Sequence, residues 1–145
     1  MTKPRQSCPS ERSPRRVVLL VEDEPFVREA TCRILENAGL EVLPAADAGE
    51  AMKVYKLCHG RIDLLMTDIT LPGQSGRQLS QDLRSTSPKL PILLTSGYAE
   101  NDSDREPQEP QTYFLPKPYS RAELVAVLGK IFRVAVQRRA ATQAS

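Results

Sequence analysis

The sequence predicts one α/β domain built on a doubly wound, five-stranded parallel sheet, and three observations carry that prediction. Short apolar runs alternate with segments of helical periodicity along the 145 residues. The first run, Val17 to Val21, is apolar on both faces and too short for a helix, which suits a central strand covered on both sides. Acidic residues, a serine and a lysine stand at the ends of these runs, on the edge where such sheets bind their ligands.

The elements follow in order. Pro25 opens a helix with apolar residues at Val27, Ala30, Ile34, Leu35 and Ala38, and Gly39 closes it. Leu40 to Leu43 reads as a short strand, and Asp47 with Glu50 three residues on can cap a helix reaching about Cys58. Ile62 to Met66 is a further buried strand. Leu79 and Leu83 mark a helix that ends before Pro88, Ile92 to Leu94 a fourth strand, and Tyr113 to Leu115 a fifth. Ser120 and Glu123 form a capping box for a last helix with Leu124, Val127, Leu128 and Ile131 on one face. Between the last two strands, Ala99 to Thr112 carries five acids and two prolines with almost no apolar residue. The helix that the alternation calls for there is expected to be short, displaced or absent.

Size and composition set bounds on function. A chain of this length supports one core, expected over 17–136, with a flexible basic tail at 1–16 and another tail at 137–145. The net charge of +2 conceals an asymmetry. Residues 1–16 carry five Lys/Arg and one acid, and residues 133–145 three Arg and no acid, so the body is about −5 by difference. That charge argues against a globular surface made for phosphate backbones, and no direct DNA binding is expected. No stretch approaches the roughly 20 apolar residues of a membrane-spanning helix, and no secretory leader is evident, so a cytoplasmic protein is expected. Cys8, Cys32 and Cys58, odd in number and without metal-type spacing, suggest reduced thiols rather than a disulfide framework or a zinc site. His59, the single histidine, lies near a helix end away from the strand-end loops and is given no role.

The chemistry gathers at the strand ends. Glu22 and Asp23 follow the first strand, Asp68 the third, Ser96 the fourth and Lys117 the fifth. Three carboxylates brought together repel one another unless a cation neutralises them, and an all-oxygen site with open positions suits Mg²⁺ or Mn²⁺. A carboxylate, a metal, a hydroxyl and an ammonium around one point are the parts needed to move a phosphoryl group. Asp68, on a central strand, is the favoured nucleophile; Asp23 can bind the metal directly and Glu22 through a metal-bound water.

The segments "VVLLVEDEP", "IDLLMTDITLPGQSG", "PILLTSG" and "YFLPKPYS" resemble, in order and spacing, the CheY-like receiver domains of bacterial response regulators and hybrid histidine kinases. The resemblance spans about residues 17 to 132 and implies the flavodoxin-like strand order 2-1-3-4-5. It implies that Asp68 is the phosphoacceptor, Glu22 and Asp23 the acidic pair, Thr70 the donor of a backbone carbonyl to the metal, and Lys117 the phosphate-binding lysine. Ser96 matches the switch hydroxyl, with Thr95 as a nearby competitor, and Phe114 the switch aromatic. Thr70 and Tyr98 match positions that tune dephosphorylation. A cis bond before Pro118 is common in receivers, and Gly73 and Gly76 fit a turn of unusual backbone angles after Asp68.

The implied function is that of a phosphoacceptor in a two-component system or phosphorelay, which catalyses only its own phosphorylation and dephosphorylation. The implied partners are a histidine kinase or histidine-phosphotransfer protein and an unknown downstream protein, with a homodimer left open. Met1 and its leader favour a free-standing form over a receiver belonging to a hybrid kinase. Two rivals are weaker. A haloacid-dehalogenase-like phosphatase would want Asp-x-Asp after the first strand, where this chain has Glu-Asp-Glu; a receiver-fold module that is never phosphorylated would not need all five site residues.

Overall fold

Strands Val17–Val21 (β1), Glu41–Ala45 (β2), Leu64–Asp68 (β3), Ile92–Ser96 (β4) and Thr112–Pro116 (β5) form one sheet in the order β2-β1-β3-β4-β5. Every neighbouring pair is parallel. Helices Pro25–Asn37 (α1), Ala48–Leu57 (α2), Gly76–Thr86 (α3) and Arg121–Gln143 (α4) complete the described elements. The computed structural model describes residues 15–97 and 110–143, without the side chains of 134–143. The fold is therefore the doubly wound parallel sheet that the alternation of elements predicts.

Strand alternation sorts the core into two layers. Val17, Leu19, Val21, Leu65, Ile92 and Leu94 face one side, where Ala51 and Val54 of α2 and Leu79 and Leu83 of α3 cover them. Val18, Leu20, Leu64, Met66, Leu93 and Leu115 face the other, against Cys32 and Leu35 of α1 and Leu124, Leu128 and Ile131 of α4. All five residues of β1, of β3 and of β4 are buried, as continuous apolar runs require. β2 is an edge strand, and Pro44, which has no N–H to give, is tolerated there.

The helix starts follow their local chemistry. Asp47 Oδ1 accepts from the Glu50 N–H at 2.7 Å while Glu50 Oε2 accepts from the Ala46 N–H at 3.2 Å. Ser120 and Glu123 close a reciprocal capping box at 3.1 and 3.2 Å. Ser75 caps α3 by accepting from the Gln78 N–H. α1 has no side-chain cap, and Pro25 at its start fits a position whose N–H would be orphaned in any case. At the far edge of the sheet, Arg84 of α3 donates to the carbonyls of Leu90 and Gln111 and to Thr112 Oγ1, at 3.1, 3.0 and 2.9 Å. This clasp holds the entry to β5.

Several expectations need correction. β3 begins at Leu64 rather than Ile62, because the Ile62 N–H turns back to the Gly60 carbonyl at 2.9 Å. Residues 137–143, assigned from sequence to a tail, belong to α4; Gln137, Arg138, Arg139, Ala140 and Ala141 are good helix formers that continue it. Cys58 is disulfide-bonded rather than a reduced thiol, with Cys8 outside the described residues, while Cys32 is a buried thiol outside any disulfide. Most of the acidic segment, and with it the expected weak or missing helix, lies outside the described residues.

The two glycines after Asp68 have different reasons. Gly73 has φ +78°, the left-handed geometry expected of the turn. Gly76 has no such angle; its need is space. A Cβ there would stand 2.1 Å from the Asp68 carbonyl oxygen and 3.0 Å from Thr67 Oγ1, with backbone that cannot step aside. Gly76→Ala is therefore expected to destabilise the protein by about 3 kcal/mol, the upper end of ordinary overpacking, measured by urea unfolding.

Candidate functional site

The parallel sheet delivers its carboxyl ends to one edge, and the predicted polar residues meet there. Asp68 is the last residue of β3 and Glu22 directly follows β1, its neighbour in the sheet. One carboxylate oxygen from each of Glu22, Asp23 and Asp68 lies within 4.8 Å of the other two. Glu22 is 4% and Asp68 9% exposed, whereas Asp23 faces solvent.

Lys117 reaches into this group from the end of β5. Its Nζ donates to Asp68 Oδ2 at 2.9 Å and to Glu22 Oε2 at 2.5 Å, and its backbone N–H donates to the Ser96 carbonyl at 2.9 Å. Burial by itself pushes the ammonium towards neutrality, but hydrogen bonds to Glu22 and Asp68 together with their charges outweigh it and hold its pKa above the ordinary lysine value. Lys117 is thus charged throughout the physiological range. The Lys117–Pro118 bond is cis.

Backbone donors fix the carboxylates. The Thr70 N–H donates to Asp68 Oδ1 and the Glu24 N–H to Glu22 Oε1, both at 3.2 Å. Arg28 of α1 donates to the Glu22 carbonyl at 2.8 Å and so steadies the loop that carries the acidic pair. Ser96 ends β4, 7% exposed, and Thr95 beside it points its hydroxyl towards the Thr67 carbonyl at 3.5 Å, in the core. Phe114 stands opposite Leu94 on the neighbouring strand and packs, half-buried, on the side of the sheet covered by α2 and α3. Tyr98 lies outside the described residues.

The structure therefore brings together Glu22, Asp23, Asp68 and Lys117, with Thr70 and Ser96 alongside. Sequence reasoning missed Arg28 and the hydrogen-bonded pair Thr31 and Tyr119, whose hydroxyls are 2.9 Å apart. A signal was present for Thr31, since a polar, β-branched residue on the buried stripe of a helix needs a partner. The site fits a divalent cation on the chemistry of its donors: three carboxylates face one ammonium, and all the ligand atoms are oxygens.

A buried carboxylate held beside an ammonium and an acidic pair, at the edge of a 2-1-3-4-5 sheet, is the arrangement of a receiver-type signalling domain. The chain belongs to the response regulator receiver domain family, which it matches over residues 18–129. It is similar to the sensor kinase CckA of Brucella abortus strain 2308, with 37% identity over 112 residues that cover 77% of this chain and 12% of the kinase. It is also similar to the phosphate regulon transcriptional regulatory protein PhoB of Escherichia coli K12, with 35% identity over 121 residues, 81% of this chain and 52% of PhoB. Among solved structures, the receiver domain of the hybrid histidine kinase CckA shares 35% identity at a TM-score of 0.69, covering 79% of this chain and 97% of that one. Vibrio cholerae chemotaxis protein CheY4 shares 27% at 0.73, covering 81% and 98%. Receiver domains are two-component signalling modules rather than enzymes in the ordinary sense, and they bind Mg²⁺ at an acidic pocket. No helix among the described residues is long and apolar enough to cross a membrane.

Removing the Lys117 ammonium leaves two largely buried carboxylates uncompensated. Lys117→Ala is expected to cost about 3–5 kcal/mol in metal-free protein, read by urea unfolding. Because the folded pKa is raised, this stabilisation is complete below the ordinary lysine pKa and disappears only as pH rises through the higher folded value. The stability difference between the two proteins should accordingly be flat from neutrality to about pH 10 and shrink above it.

Proposed function

We propose that this receiver accepts a phosphoryl group from a phosphohistidine onto Asp68 and signals through protein contact. The observation that carries the reading is the Asp68 carboxylate held 2.9 Å from Lys117 Nζ within reach of Glu22 and Asp23. An Asp68 oxygen attacks phosphorus in line, the new O–P bond forms as the P–N bond breaks, and the electron pair stays on the departing nitrogen. That nitrogen leaves as neutral imidazole when its ring partner already carries a proton. Lys117 offsets negative charge on the equatorial oxygens, and the buried position of Asp68 limits competition from water. Asp23, Asp68 and the Thr70 carbonyl would hold Mg²⁺, with Glu22 reaching it through water, and the ion when bound would supply further charge neutralisation for the phosphoryl oxygens.

In this reading the Ser96 hydroxyl is drawn to the phosphoryl group and Phe114 moves into the space that opens, which changes the surface that partners meet. Thr70 and Tyr98 set how readily water reaches the acyl phosphate. The donor is a histidine kinase or a histidine-phosphotransfer protein, and the receiver itself is cytoplasmic in this scheme. A receiver-fold module without phosphorylation is the second reading.

Incubation with Mg²⁺ and phosphoramidate, followed by intact-mass measurement, tests the proposal. One phosphoryl group should be gained by the unaltered protein and none by Asp68→Asn; no gain in either would sink it. Mg²⁺ at a hundred times its dissociation constant should stabilise the protein by about 2.7 kcal/mol. Asp23→Asn, by relieving repulsion among like charges, should raise the urea midpoint in chelator while losing most of that Mg²⁺ increment.

A further inference from the structure

The hydroxyl pair Tyr119–Thr31 lies outside the residues that touch the phosphoryl group, yet it sits two residues beyond Lys117. Thr31 is in the middle of α1 and 3% exposed. A buried hydroxyl in a helix interior costs stability unless it is hydrogen-bonded, and its partner is the Tyr119 hydroxyl at 2.9 Å. The Tyr119 ring packs against the core layer formed by α1 and α4. Burial there raises its pKa above the ordinary phenol value, so the hydroxyl keeps its proton at any physiological pH.

α1 thereby holds both halves of the site from one face. Arg28 and Thr31 are one helical turn apart: Arg28 fixes the loop of the acidic pair through the Glu22 carbonyl, and Thr31 fixes the loop of Lys117 through Tyr119. On its other side Lys117 is pinned by its own N–H to Ser96. When a phosphoryl group arrives, the Lys117 ammonium has to exchange a carboxylate partner for a phosphoryl oxygen. Its side-chain ties to Glu22 and Asp68 then weaken, and the anchors at Ser96 and at Tyr119 keep the loop in place.

We infer that the Tyr119–Thr31 hydrogen bond makes Tyr119 a positioning residue for Lys117, registering the lysine loop against the acidic pair through α1. The inference rests on the phosphoacceptor reading and adds a residue to it.

Two single variants remove the same bond by different routes: Tyr119→Phe deletes one hydroxyl, and Thr31→Val replaces the other with a methyl. Each should slow phosphorylation by phosphoramidate about two- to ten-fold per folded molecule, the range that losing one hydrogen bond spans. The double variant should be no slower than either single one. Mg²⁺ affinity, measured by titration calorimetry, should be unchanged, because the acidic trio does not depend on Tyr119. In a Lys117→Ala background, Tyr119→Phe should have no further effect on the rate. A purely structural bond would lower the urea midpoint yet leave the rate per folded molecule at the unaltered value, and that result overturns the inference, as would rate losses that multiply in the double variant. Failure of the unaltered protein to gain a phosphoryl group would overturn the phosphoacceptor reading, and the inference with it.

Discussion

One ammonium among three carboxylates organises the functional edge of this domain. Neighbouring strands lie about 4.8 Å apart, so β3 and β5, with β4 between them, end about 10 Å from each other. The long lysine stem spans that gap across the end of β4, where the Ser96 carbonyl holds the Lys117 backbone. Without a cation there, Glu22 and Asp68 would be two buried negative charges with a third within 4.8 Å. With it the group is still net negative by two charges, a balance that favours a divalent cation.

The same arrangement divides labour between the acids. Glu22 is buried, its carboxylate bonded to Lys117 and to the Glu24 N–H, so it is committed to the protein. Asp23 faces solvent and is available to a ligand. Asp68 has one oxygen on Lys117 and the other on the Thr70 N–H, which fixes its plane. In the proposed phosphoryl transfer, preorganisation of this kind would remove a reorganisation cost.

Much of this was legible in the amino-acid order. Val17 to Val21 announced a central strand because five consecutive branched residues are too short a run for a helix, and a two-sided sheet can bury them all. Asp47–Glu50 and Ser120–Glu123 announced helix starts, since their side chains reach backbone donors three residues away. Strand ends were read less well: Ile62 looked like strand but serves a turn, and Ser96 and Pro116 extend ladders that apolar content alone would stop sooner. Long-range contacts were not legible at all. That Tyr119 meets Thr31, 88 residues earlier in the chain, or that Gly76 makes room for the Asp68 carbonyl, depends on how helices lie on the sheet, which local periodicity does not encode.

Arg84 has a consequence for how such a domain can vary. By clasping Gln111, Thr112 and the Leu90 carbonyl at once, it fixes the point at which the chain re-enters the sheet. The register of β5, and with it the placement of Phe114 and Lys117, is anchored at that handover. A substitution at Arg84 would accordingly be felt at the opposite end of β5, where Lys117 meets the acidic edge, although the two residues never touch.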